Sequence, residues 1–154
     1  MTGFGVIEGA TRPTAVRFGE VRTSSKEPEG RRLHRIYEQI STVIRELAPD
    51  VLAVEQLFFN KNTRSAMAVG QARGVILLAA AEAGLEIHEF TPLEVKLAVT
   101  GQGRAAKDQV GYMVKMLLGL SEVPRPDDMA DALAVALTCA HTITTKRRWG
   151  DVMK

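Results

Sequence analysis

Seven apolar side chains, Leu33, Ile36, Tyr37, Ile40, Val43, Ile44 and Leu47, recur at steps of three and four residues, and the series stops just short of Pro49. This spacing lays them along one stripe of an α-helix, and the residue before a proline is pushed out of helical geometry, so an amphipathic helix ending there is predicted. Directly afterwards comes Val51-Leu52-Ala53-Val54, a short continuous apolar run closed by Glu55. A run of that length suits a strand covered on both faces. A one-sided helix feeding a two-sided strand constrains the chain to a layered α/β fold.

The rest of the sequence agrees. Residues 3–8 and 15–23 concentrate Phe, Val and Ile around a turn-rich 9–14 and predict a β-hairpin. An Ala-rich helix is expected over 64–83, halted by Gly84, and then a strand over 85–90. Thr91-Pro92-Leu93-Glu94 is a capping-box pattern with proline at the first helical position, opening a short helix that ends near Gly101. A helix over 107–118 should bury Val110, Met113, Val114, Leu117 and Leu118, and a last helix runs from near Asp128 to Thr145. A hairpin followed by strands separated by helices predicts a mixed sheet flanked by helices. With 154 residues and no repeat or linker, one domain over 1–145 is expected, with 146–154 a basic C-terminal tail.

Composition excludes several classes. At 45% hydrophobic and 25% charged residues the chain is globular rather than disordered. Its longest apolar run, 74–81, is far short of the roughly 20 residues that span a bilayer, and no secretory leader is visible, so a cytoplasmic protein is expected. The single Cys139, within an apolar series, reads as a small core residue. A formal charge of +2 does not by itself argue for nucleic acid, but the basic residues bunch at Arg31, Arg32 and Arg35, recur at Arg64, Arg73, Lys96, Arg104 and Lys107, and close with Lys146, Arg147 and Arg148. A solvated helix face is the better reading of the first group, and the last is readable as no more than a frayed tail. No P-loop, GxGxxG or GxSxG is present, and His34, His88 and His141 lack ligand spacing.

Two acidic positions remain. Glu55 closes an apolar strand, and sites in open α/β sheets lie beyond the carboxyl ends of strands. Asp128 and Asp131, three residues apart, share one face at the start of the last helix. Acidic residues there also complement the helix dipole or cap free N–H groups, which suffices for Asp127 or Asp128. Asp131 is different, because it interrupts Met129, Ala130, Ala132, Leu133, Ala134 and Val135 and should be partly buried. No basic residue lies within a helical turn of it, and a hard cation would offset the cost of burying it.

Taken together, Ala53-Val54-Glu55-Gln56-Leu57-Phe58, then Asn60-Lys61-Asn62, then Gly70-Gln71-Ala72-Arg73-Gly74 resemble the signature stretch of the RuvC-type Holliday junction resolvases of bacteria. Asp128-Met129-Ala130-Asp131-Ala132-Leu133-Ala134-Val135-Ala136 is similar to the family's second acidic motif, and Gly3-Phe4-Gly5-Val6-Ile7-Glu8 to its second strand. The resemblance implies an RNase H-like fold and a structure-selective endonuclease that resolves four-way DNA junctions in recombination and repair. It further implies two Mg²⁺ ions per site, with Mn²⁺ a possible substitute, held by Glu55, Asp128 and Asp131. Phe58 would stack at the junction, although Leu57, Phe58 and Phe59 are equally readable as core. Lys96 and Lys107 would meet DNA phosphates, where each could otherwise be a solvated helix lysine. A homodimer, with the Ala-rich helix as its interface, and the RuvA-RuvB branch-migration complex are the implied partners.

Family members open on a strand ending in a Gly-Ile-Asp-Pro-Gly type sequence, and no residue here matches its aspartate. The resemblance therefore implies a fold whose first central strand is missing and a chain that is marginally stable and nearly inactive. The alternative it leaves open is a non-catalytic junction-binding protein that has lost the first acidic residue. A different RNase H-like member, acting on RNA, is a third reading.

Overall fold

A computed structural model describes residues 1–56 and 63–152. Its elements run β1 (Thr2–Glu8), β2 (Thr14–Val21), α1 (Glu29–Leu47), β3 (Val51–Glu55), α2 (Thr63–Glu82), β4 (Glu86–Phe90), α3 (Pro92–Thr100), α4 (Lys107–Leu118) and α5 (Asp127–Val152). They divide into two compact units, one of Met1–Thr2 and Val21–Glu89, the other of Gly3–Glu20 and Phe90–Lys154.

In the first unit α1 packs on α2. The stripe read from the sequence is the buried one: Ile36, Ile40 and Ile44, four residues apart, are its core positions. Removing each from water stabilises the unit by about 1.5–3 kcal/mol. The helix ends on Ala48, whose φ of 44° is left-handed and whose N–H donates to the Ile44 carbonyl. A left-handed L-residue costs about 1–2 kcal/mol, accepted here because Pro49 forces the chain out of the helix. The Tyr37 hydroxyl donates to the Glu82 carboxylate, which holds its pKa above the ordinary phenol value and ties α1 to the end of α2. Strands β3 and β4 form a two-stranded sheet. Val51, Leu52, Ala53 and Val54 are part-exposed, where the continuous apolar run predicted cover on both faces. Among the described residues β3 has β4 as its one hydrogen-bonded neighbour.

In the second unit β1 and β2 form the predicted hairpin, and α3, α4 and α5 pack on one another. Thr91 caps α3 as its pattern requires: its hydroxyl accepts from the Glu94 N–H at 3.1 Å, and the Glu94 carboxylate accepts from the Thr91 N–H at 2.6 Å. Helix α4 buries Val110, Gly111, Val114 and Leu118, but Leu117 is 37% exposed. The stripe is rotated toward Gly111, whose missing side chain leaves room for Val123. In α5, Leu133 and Leu137 are wholly buried, and Thr138 is buried by donating its hydroxyl to the Ala134 carbonyl at 2.8 Å. Cys139 is buried, as its apolar surroundings predict. The helix continues through Lys146, Arg147 and Arg148 to Val152, so the expected basic tail is largely helical.

Candidate active site

The start of α5 is positioned by glycines in β1. A Cβ on Gly3 would sit 2.1 Å from the Asp128 carbonyl oxygen, and one on Gly5 would sit 2.6 Å from Leu133 Cδ2. A side chain at either place has no room, so the strand backbone lies directly against the helix turn that carries Asp128 and Asp131. Glycine inside a strand often marks such an approach, and that signal was present in Gly3-Phe4-Gly5 although the sequence reading used it only to place a strand. The two glycines are the positioning residues that sequence reasoning missed.

Asp127 and Asp128 occupy the first turn of α5, where a negative charge complements the helix dipole. Asp127 is engaged by the Arg125 guanidinium, which accounts for its charge without a metal. Asp131, one turn further on, is half-buried, as its apolar neighbours predict. Its partner is not on its own helix: Lys107, the first residue of α4, places Nζ 3.5 Å from Asp131 Oδ2. The expectation of an aspartate without a basic neighbour therefore holds only along the helix. Burial pushes the Asp131 carboxyl above the ordinary carboxylate range, Lys107 opposes this, and the charges of Asp128 and Asp127 add to it. A cleft of about 730 Å³ opens beside these groups, with Gln102, Lys107, Tyr112, Arg125 and Asp131 on its walls.

The remaining predicted residues lie as follows. Glu55 closes β3 in the other unit and is exposed. Lys96 is mid-α3, and its carbonyl accepts from the Thr100 hydroxyl at 2.7 Å. Phe58, with the Asn60-Lys61-Asn62 stretch, lies outside the described residues. Two of the basic positions are structural: Arg73 pairs with Glu89 at 3.0 Å, and Arg35 pairs with Glu27 at 3.0 Å. Among the described residues no group of three His, Cys, Asp or Glu side chains stands close enough to hold an ion. The donor chemistry nonetheless fits a hard cation. Asp128 and Asp131 offer oxygen alone, and the charge repulsion on Asp131 is what a divalent ion relieves.

The half-buried Asp131 and Lys107 stand on the wall of an open cleft, with Asp128 one turn away, an arrangement consistent with the RNase H-like nuclease that the sequence resemblance implies. The model of the family described as crossover junction endodeoxyribonuclease RuvC matches residues 1–139. The chain is 53% identical to the crossover junction endodeoxyribonuclease RuvC of Moorella thermoacetica, over 99% of this chain and 92% of that one. It is 52% identical to that of Heliobacterium modesticaldum, over 96% and 90%. Thermus thermophilus RuvC, solved in complex with a Holliday junction substrate, superposes with a TM-score of 0.89 at 40% identity, covering 94% of this chain and 88% of that one. The chain belongs to the RuvC family of crossover junction endodeoxyribonucleases, whose nucleases are metal-dependent. Membership does not depend on the Gly-Ile-Asp-Pro-Gly type opening strand.

Proposed function

We propose that this protein resolves four-way DNA junctions by hydrolysing phosphodiesters, with Glu55, Asp128 and Asp131 as the catalytic, metal-holding carboxylates and Mg²⁺ as the preferred ion. The observation that carries this reading is the Thermus relative bound to a Holliday junction substrate, similar over 94% of the chain. The half-buried Asp131 facing a cleft supports the assignment of its residues. Two divalent ions, when bound, would neutralise the scissile phosphate and lower the pKa of an attacking water. The chain's own residues do the rest. Asp128 and Asp131 present oxygens from one helix face that Gly3 and Gly5 hold in place. Lys107 balances Asp131 and lies where an incoming phosphate would be attracted. Lys96 and Phe58 are proposed as further DNA contacts, the phenylalanine by stacking on an unpaired base.

The two compact units are read as one nuclease domain, because the family match runs through both. The active form is proposed to be a homodimer joined through α2. Met67 and Leu78 are 65% and 53% exposed and three helical turns apart, with Gly74 on the same face. Sedimentation of a monomer at micromolar concentration would remove that part. The RuvA-RuvB complex as partner and a cytoplasmic location complete the reading, and no described helix is long and apolar enough to cross a membrane. A non-catalytic binder is not favoured. Incubation with a synthetic four-way junction, a plain duplex and an RNA–DNA hybrid, each with Mg²⁺, tests the function. Paired symmetric nicks confined to the junction are expected. A gel shift without nicks would restore the binder, and cutting of the hybrid would indicate the RNA-directed relative.

A further inference from the structure

Helix α5 carries its carboxylates at one end and a different chemistry at the other. Its last turns hold Lys146, Arg147 and Arg148, all exposed, followed by Trp149, which is 67% exposed. Around the helix Lys146 lies about 60° to one side of Trp149, Arg148 about 100° to the other and Arg147 opposite, so the three cations ring this end of α5. A large aromatic left in water among three cations is unusual for a monomer's surface, where scattered aliphatics are common but tryptophan is mostly covered. The segment also lies past residue 139, where the match to the family model stops. From Asp131 it is eighteen residues along the helix, roughly 27 Å at 1.5 Å per residue. A contact made here is one that the cleft does not make.

We propose that Lys146, Arg147, Arg148 and Trp149 form a second DNA-contact surface, which grips a duplex arm of the four-way junction away from the cut phosphate. The three cations attract the phosphate backbone without reading sequence. The indole N–H donates to a phosphate oxygen and its ring covers a deoxyribose, the donor-plus-apolar combination a tryptophan offers. Three adjacent positive charges match a polyanion, and the established family ligand is one. The inference rests on the junction-binding reading and adds a site to it.

Trp149 is the chain's one tryptophan, so its emission reports on this surface alone. The protein is titrated with a synthetic four-way junction without divalent metal, saturation being fixed independently by gel shift. The emission is expected to fall and move to shorter wavelength, and to recover as salt is raised. The combined variant Lys146→Gln, Arg147→Gln, Arg148→Gln is expected to bind the junction at least tenfold more weakly at 0.1 M salt. Its log–log salt slope should be about 2.7 units shallower, about 0.9 for each cation removed. Full junction binding with unchanged Trp149 emission, or an unchanged salt slope in the variant, overturns this inference alone. A response to anionic lipid vesicles and none to the junction also overturns it. An intact protein that shifts no junction at all overturns the functional reading and this site with it.

Discussion

The two ends of α5 are built on opposite terms. At its beginning the helix is pressed against β1 across Gly3 and Gly5 and buries Ala130, Leu133, Ala134 and Leu137, so Asp128 and Asp131 are set on a rigid support. At its far end the same helix buries nothing among residues 145–150 and shows Lys146, Arg147, Arg148 and Trp149 to solvent. A carboxylate that must hold an ion within tenths of an ångström needs the first environment. A surface that meets a backbone of repeating charges needs only reach and sign. On the proposed reading, placement of charge, more than its amount, separates the metal-holding end of the helix from the DNA-contact end.

Four changes probe this contrast, in order of effect. Asp131→Asn should lower metal-dependent junction cleavage about 10³-fold, roughly 4 kcal/mol of transition-state stabilisation, measured under single-turnover conditions. Leu137→Ala, in the supported half, should cost about 2–5 kcal/mol in denaturant melts, whereas Trp149→Ala should stay within about 0.5 kcal/mol of the parent. Equal losses for the two would break the comparison. Gly3→Ala drives a methyl into the Asp128 carbonyl and should cost about 1–3 kcal/mol with a marked loss of cleavage, because the turn carrying the carboxylates must shift. Retained stability and activity would show that the close approach is not needed.

The smallest effect concerns pH. The Asp131 carboxyl is raised in the fold chiefly by burial, so the folded protein holds that proton more tightly than the unfolded chain. Its charged form therefore opposes folding above the raised pKa, and the opposition disappears as pH falls below the unfolded value. Without metal, Asp131→Asn should gain a few tenths of a kcal/mol at neutral pH, discounted for its partial exposure, and the gain should vanish in mild acid. A variant less stable than the parent at neutral pH would contradict the assigned cause.

Much of this was legible in the sequence, for reasons particular residues make plain. The Ile36, Ile40 and Ile44 stripe and the Thr91–Glu94 capping box are local patterns, and both were found where spacing placed them. The interruption of an apolar series by Asp131 correctly indicated partial burial. What spacing does not carry is a partner from another element. Lys107 reaches Asp131 from α4, 24 residues away in sequence, and Gly3 meets Asp128 from β1. The rotation that exposes Leu117 likewise depends on Val123 filling the space beside Gly111. The part-exposure of Val51, Leu52, Ala53 and Val54 was unreadable because an apolar run states what a strand prefers, not how many neighbours it has.

The central claim is that the supported end of α5 supplies carboxylates for metal-dependent junction cutting. It is tested most directly by following nicks in a four-way junction with Mg²⁺ for the parent and for Asp131→Asn, with junction binding measured in parallel. The account predicts paired nicks in the parent, at least a 10³-fold loss in the variant and little change in binding. Comparable cleavage by both, or binding by the parent with no cleavage at any Mg²⁺ concentration, would contradict it.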